Sequence, residues 1–195
     1  MVPTPDQVRL LIEAAQESRR PEYARCFIIT STTGVRRGEV VGLRFSDLDD
    51  HGVLTIRTGI TQLRGRPMIE GTTKNRRLRS LAVGPKTLGL IQAQRTMMSE
   101  RAAECDVELA GDAFIFSDAI DGSAPWKPDA VTQYIGRLQT RANAPTEIKF
   151  RLRKFMETCG HDLGFSLGGP ASWSRSSRGR PLLHGPGGRV RPCSC

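Results

Sequence analysis

The stretch TTGVRRGEVVGLRFSDLD, residues 32–49, decides how this chain is interpreted. It follows one apolar run and leads into a second, so a Thr-Gly-Val-Arg corner separates two elements that are expected to be buried. Arg36 lies at this corner, and Glu39 follows it by three residues, close to one helical turn. A hydrophobic core does not favour an unpaired guanidinium. The pattern therefore indicates that Arg36 serves something outside the core.

The composition is that of a globular protein with a basic surface. The 195 residues suit one ordinary domain with an appendage, and 38% hydrophobic with 25% charged residues lies within the globular range. The formal net charge of +9 favours a polyanionic partner, nucleic acid first and an acidic membrane surface second. A basic surface that merely keeps the protein soluble has the same composition, so charge alone leaves the partner open.

The spacing of cysteine and histidine argues against a disulfide framework and against a metal site. The five cysteines are odd in number and scattered, and the three histidines show no ligand spacing. The chain has neither a signal sequence nor an 18-residue apolar run. We therefore expect a cytoplasmic protein that has no membrane segment, no metal and no cofactor.

Hydrophobic periodicity predicts an α+β fold that is mainly helical. Thr4 is expected to cap a first helix beginning at Pro5, and Gln7 completes a capping box. A second helix should run from about Pro21 to Gly34. Further helices are expected at 38–43, 86–103 and 127–142 and from about Leu152.

Alternating residues predict a small antiparallel sheet in the middle of the chain. The pattern occupies 53–63 and 78–83, on either side of a turn at 64–67 and a basic loop. We expect three strands. Residues 113–116, AFIF, read as a short strand or a buried turn.

The last part of the chain differs in composition from the rest. Residues 168–195 contain five arginines and no acidic residue, and they supply five of the nine net charges. Such a segment cannot bury enough apolar surface to offset its ordering entropy. We expect a folded domain at 1–163 and a disordered tail at 164–195.

Four motifs, in this order, resemble the catalytic domain of the tyrosine recombinases, the phage-integrase family. They are TGVRRGE with the following LRFSDLD (33–49), TKNRRLRSL (73–81), the segment 116–138, and LRKF (152–155). Each motif is weak alone, but their order and spacing are fairly specific. The resemblance extends from about residue 3 to about residue 163, and it implies a helical catalytic core with one small sheet.

This resemblance implies metal-free chemistry on DNA. In that family a tyrosine attacks a phosphodiester and forms a 3′-phosphotyrosine. By resemblance, Arg36 and Arg153 would hold the phosphate oxygens, because a guanidinium donates parallel N–H bonds and keeps its charge. Lys74 would protonate the leaving 5′-oxygen. The implied partner is double-stranded DNA, on which family members act as tetramers.

Neighbouring residues take supporting roles in this interpretation. Glu39 would orient the guanidinium of Arg36. Arg76, Arg77 and Arg79 would contact DNA phosphates. Two plainer alternatives stay open: Arg36 and Glu39 could form an ordinary surface ion pair, and the basic hairpin could simply be solvated.

The chain departs from the family pattern in its last motif and its tyrosines. Phe150 stands where the HxxR box has histidine. The two tyrosines, Tyr23 and Tyr134, precede Arg153 and lie on apolar faces of predicted helices, so we expect no nucleophile among them. We expect an incomplete catalytic domain whose nucleophile region is missing or was replaced by a frameshift near residue 163, and which has no preceding DNA-clamping domain.

Three functions are compatible with these observations. The chain could be a recombinase or integrase-like protein, for DNA integration and recombination, that lacks strand-cleaving activity of its own. It could instead be a non-catalytic DNA-binding module. It could also be the non-functional product of a frameshifted integrase gene.

Overall fold

A computed structural model describes residues 4–63, 65–72 and 78–144. The helices in these ranges are α1 Pro5–Gln16, α2 Pro21–Thr33, α3 Arg37–Val41, α4 Pro85–Ala103 and α5 Pro128–Arg141. The strands are β1 Val53–Ile56, β2 Thr58–Gln62, β3 Met68–Thr72 and β4 Arg79–Ala82. The predicted α+β, mainly helical class is confirmed. The expected helix near Leu152 and the expected tail at 164–195 lie outside the described residues.

Helix α1 begins where its local signals predict. The hydroxyl of Thr4 accepts a hydrogen bond from the backbone N–H of Gln7 at 3.3 Å, and Oε1 of Gln7 accepts one from the N–H of Thr4 at 2.9 Å. These two bonds satisfy N–H groups that the first turn of a helix leaves without partners. The buried face of α1 then packs on α2.

Helix α2 is the central element of the core. Its residues from Cys26 to Thr32 are all buried, and it contacts each of the other four helices described here. The hydroxyls of Thr30, Ser31 and Thr32 donate hydrogen bonds to the backbone carbonyls four residues earlier, at 2.7, 2.8 and 3.1 Å. These bonds satisfy polar side chains that would otherwise be costly to bury.

The strands form two two-stranded antiparallel sheets in the described part of the chain, rather than the predicted three-stranded sheet. Strand β1 pairs with β4, and β2 pairs with β3. One residue, Arg57, lies between β1 and β2, whereas six residues, 73–78, lie between β3 and β4. The two pairs have different registers: Ile56 pairs with Arg79, whereas Thr58 pairs with Thr72. We refer to these four strands, with Arg57 between β1 and β2, as the ribbon.

The segment AFIF, 113–116, is a buried stretch whose backbone pairs with residues 43–45, after α3. All four residues are at most 2% exposed. Ile115 donates its N–H to the carbonyl of Leu43 at 2.8 Å, and Phe45 donates its N–H to the carbonyl of Ala113 at 3.0 Å.

None of the described helices has the length and apolar character needed to span a bilayer.

Candidate functional site

Arg36 lies at a sharp corner between α2 and α3. Helix α2 ends at Thr33 and is capped by Gly34, whose φ of 64° is in the left-handed region that glycine adopts without strain. Val35 follows and is buried, and Arg36 then takes an extended conformation as the cap of α3. The chain thus leaves the core within two residues. The side chain of Arg36 is 47% exposed.

The carboxylate of Glu39 holds Arg36 through two hydrogen bonds. Its Oε2 accepts the backbone N–H of Arg36 at 2.8 Å, and its Oε1 accepts Nη1 of the Arg36 side chain at 2.8 Å. The first bond caps α3. The second sets the direction of the guanidinium. Because the Glu39 side chain is only 6% exposed, its charge depends on such partners.

Helix α3 lies directly against the backbone of β2. A Cβ added to Gly38 would stand 2.5 Å from the carbonyl oxygen of Ile60, closer than any real Cβ contact. One added to Gly42 would stand 3.2 Å from the Cα of Gly59. Glycine at these positions lets α3 approach the ribbon at backbone distance, and so places the Arg36 corner beside it.

The ribbon contributes a second guanidinium to Glu39. Arg79 is the first residue of β4, and its Nη2 donates to Oε2 of Glu39 at 2.6 Å. The Arg79 side chain is 17% exposed. Sequence reasoning grouped Arg79 with the DNA-contacting arginines and missed this pairing, because nothing local in the sequence indicates which carboxylate a strand residue will reach.

A second corner repeats this arrangement further along the chain. Asp47 Oδ2 accepts the backbone N–H of Arg44 at 2.9 Å, and Oδ1 lies 3.2 Å from Nε of the ribbon residue Arg57. The Asp47 side chain is 4% exposed. Burial raises the pKa of Asp47 above its ordinary value, although the N–H of Arg44 and the charge of Arg57 act in the opposite direction.

The arginines of the two corners differ in what they contact. The side chain of Arg44 donates to Asp112 at 2.8 Å and to Glu70 at 3.1 Å, and its guanidinium carbon stands 3.8 Å from the ring centre of Phe114. Arg36 has hydrogen bonds only to Glu39 in the part of the chain that the structure describes. Arg36 is therefore the corner arginine with side-chain donors left for a ligand.

The remaining predicted site residues fall outside the described ranges. Lys74, Arg76 and Arg77 belong to the segment 73–77, and Arg153 follows residue 144, so their positions are not described. The structure describes Arg79, the first strand residue after this segment, and Arg79 contacts Glu39. The ribbon therefore meets the Arg36 corner at Arg79, two residues after this segment.

Both tyrosines of the chain are core residues. The ring of Tyr23 stacks on Trp126 with the ring centres 4.2 Å apart, and the ring of Tyr134 lies 5.0 Å from that of Tyr23. They are 8% and 7% exposed. Burial raises the pKa of both phenols. A phenol that is buried and hard to ionise is a poor nucleophile, in line with the sequence interpretation.

In the described ranges, acidic, histidine and cysteine side chains do not cluster in a way that suits a metal ion. No group of three or more of them could hold one among the residues described here. The candidate site consists instead of Arg36, Glu39 and Arg79, which we call the corner triad.

Comparison with solved structures identifies the fold. The chain is similar to the Tn1549 transposon integrase in complex with transposon right end DNA, with a TM-score of 0.64 and 18% identity over 79% of this chain and 50% of that one. It is also similar to XerA recombinase, with a TM-score of 0.59 and 18% identity over 81% of this chain and 49% of that one. No protein-family model and no curated protein matches the sequence.

These similarities confirm the expected resemblance at the level of the fold. The chain has a tyrosine recombinase/integrase-like fold. It spans about half the length of the two solved structures it resembles.

Proposed function

We propose that this chain is a site-specific recombinase or integrase-like DNA-binding domain in which Arg36 contacts a backbone phosphate of double-stranded DNA. The observation that carries the proposal is the state of Arg36: its side chain is 47% exposed and is oriented by a buried carboxylate. The Tn1549 integrase, which shares the fold, was solved with its transposon DNA.

The chemistry of the corner triad suits an anionic ligand. A guanidinium remains charged at any ordinary pH and can donate two parallel N–H bonds to phosphate oxygens. Arg36 uses Nη1 for Glu39, which leaves its other side-chain nitrogens to meet a ligand. With two arginines and one glutamate, the triad also carries a net charge of +1.

Other residues complete the proposed site on the basis of the sequence resemblance. Arg153 is proposed as the second phosphate-binding guanidinium, and Lys74 as the proton donor to a leaving oxygen. Arg76 and Arg77 are proposed to contact DNA phosphates. We further propose that the protein works in the cytoplasm, without a metal, and assembles as tetramers on DNA.

We propose that the domain binds DNA without cleaving it. The mechanism implied by the resemblance needs a tyrosine that reaches a phosphate. Tyr23 and Tyr134 are both packed in the core, and Phe150 replaces the histidine of the HxxR box. These observations favour a non-catalytic DNA-binding module over an active strand transferase.

Salt-dependent DNA binding tests the role of Arg36. Fluorescence anisotropy with a labelled duplex should show affinity falling steeply with salt, and Arg36→Ala should reduce the slope of log K against log salt by about one. Arg9→Ala is a matched control, since Arg9 is an exposed arginine paired to an acid three residues away, but on α1. If the two variants bind alike, Arg36 has no special role.

A covalent trapping assay tests the absence of cleavage. A nicked duplex that traps a phosphotyrosine should yield no protein–DNA adduct that survives denaturation. An adduct mapped to either tyrosine would contradict the proposal and would require the core around Tyr23 to open.

A further inference from the structure

We propose that Arg79 is a positioning residue for Arg36. By occupying Oε2 of Glu39, Arg79 prevents Arg36 from closing a two-pronged ion pair on the same carboxylate. Arg36 therefore keeps side-chain donors for a phosphate. The inference rests on the proposed function only in taking phosphate as the ligand of Arg36.

The hydrogen-bond pattern of Glu39 carries this inference. Each carboxylate oxygen has two lone pairs that can accept hydrogen bonds. Oε2 accepts the backbone N–H of Arg36 at 2.8 Å and Nη2 of Arg79 at 2.6 Å, so both of its lone pairs are in use. A forked arginine–carboxylate pair needs one acceptor site on each oxygen. Arg36 can therefore hold only Oε1, through the single bond from Nη1 at 2.8 Å.

The charges of the triad lead to the same conclusion. Arg36 and Glu39 alone sum to zero, and a neutral pair attracts an anion weakly. Arg79 restores one positive charge. Because Glu39 and Arg79 are 6% and 17% exposed while Arg36 is 47% exposed, the member that an approaching anion meets is Arg36.

The second corner provides a matched control within the same protein. Arg57 lies on the ribbon and pairs with the buried Asp47, as Arg79 pairs with Glu39. Among the described residues Arg57 forms no hydrogen bond or ion pair with Glu39 or Arg36, so Arg57→Met removes an arginine–carboxylate pair while leaving the corner triad intact.

A double-mutant cycle on DNA binding tests the proposal. The variants are Arg79→Met, Arg36→Ala and the two combined, measured by anisotropy with one duplex. We expect Arg79→Met to weaken binding about tenfold, and Arg36→Ala to cost about tenfold in the parent but under about twofold once Arg79 is gone. With Arg57→Met, the effect of Arg36→Ala should remain complete.

The main competing role for Arg79 is direct contact with a phosphate. In that case the two losses multiply to about a hundredfold, and each variant lowers the salt slope by about one. That result would overturn the proposal. Arg79→Lys is the conservative variant, and we expect it to retain most of the affinity, since an ammonium can still occupy Oε2 of Glu39.

A measurement without DNA separates this inference from the proposed function. The free protein is treated with phenylglyoxal, which modifies accessible guanidiniums, and the rate at Arg36 is followed by peptide mass mapping. We expect Arg79→Met to slow the modification of Arg36 several-fold, with no change in Arg57→Met. Circular dichroism and thermal melting establish that each variant is folded.

The two readouts fail in different ways. If the parent protein binds no duplex DNA, the proposed function is wrong, and a slower reaction of Arg36 in Arg79→Met still supports the positioning role. If Arg36 reacts equally fast or faster in folded Arg79→Met, the positioning role is wrong whatever the DNA affinity.

Discussion

Arg79 and Glu39 are 40 residues apart in the sequence, and a hydrogen bond of 2.6 Å joins Nη2 of the arginine to Oε2 of the carboxylate. This bond ties the first residue of β4 to the short helix α3. The carboxylate that orients Arg36 is therefore bonded to residues of two different elements. The corner is thus held from the ribbon as well as from its own helix.

Removing the shared carboxylate should destabilise the fold. Glu39→Ala deletes the acceptor that caps α3 and pairs with two arginines. We expect the free energy of unfolding to fall by about 3 kcal/mol, the lower end for breaking a buried pair, because Arg36 is half-exposed. Urea unfolding measures this loss. Asp112→Ala is the control: its carboxylate is 75% exposed, and its loss should cost under about 1 kcal/mol. Equal losses would contradict the prediction.

A single methyl group at the contact between α3 and β2 should also be costly. In Gly38→Ala the new Cβ would lie 2.5 Å from the carbonyl oxygen of Ile60, so one backbone must move. We expect a loss of about 1–3 kcal/mol, measured by thermal or urea unfolding.

A glycine-to-alanine substitution in α5 should have the opposite effect on stability. Gly136 lies within α5 and has nothing within 4 Å of an added Cβ. Gly136→Ala should stabilise by about 0.5–1 kcal/mol, since alanine favours the helix. If both variants change stability alike, the close approach of Gly38 is not a real constraint.

The pH dependence of stability should report the burial of Asp47. Its pKa is raised in the folded state, so the native protein binds a proton more tightly than the unfolded chain does. The contribution of this group to stability is therefore present at low pH and lost as pH rises through the folded-state pKa. The parent should gain stability relative to Asp47→Asn as pH falls towards the ordinary value of about 4.

Urea unfolding of both proteins at a series of pH values measures this difference. Asp6→Asn is a suitable control because the Asp6 side chain is 89% exposed. If the stability of the parent relative to Asp47→Asn stays constant or falls as pH falls, burial does not dominate at this carboxyl.

The two phenols should resist ionisation. Burial raises the pKa of Tyr23 and of Tyr134, so neither should form phenolate at its ordinary pKa of about 10 while the protein is folded. Ultraviolet absorbance titration measures the phenolate directly, and the chain has no other tyrosine. Tyr23→Phe assigns the remaining signal to Tyr134. A phenolate that forms below about pH 10 in folded protein would mean that a tyrosine is accessible, and would reopen the question of a nucleophile.

The helices were predictable because their signals are local. The capping box of Thr4 and Gln7 is encoded within four residues, and helix α1 begins at the predicted Pro5. The predicted helix at 86–103 is observed as Pro85–Ala103, and 127–142 as Pro128–Arg141. These boundaries differ by a single residue, and the helix predicted at 38–43 is observed as Arg37–Val41, which is within the usual fraying of helix ends.

The sheet was less predictable because strand pairing depends on distant residues. Alternation correctly indicated antiparallel strands, but the number of strands in a sheet follows from register. Ile56 pairs with Arg79 whereas Thr58 pairs with Thr72, so the two pairs of strands differ in register. No periodicity within either run carries that information.

By itself, the sequence determined the local part of the candidate site. Gly34, Arg36 and Glu39 lie within six residues, so a left-handed turn followed by a capped helix brings them together through local geometry. Tertiary structure alone decided that Arg79 pairs with Glu39 and that the side chain of Arg44 contacts acidic and aromatic neighbours. The physical reason is the separation along the chain. One helical turn brings together residues that are three positions apart, whereas a contact across 40 residues depends on how the ribbon packs against α3.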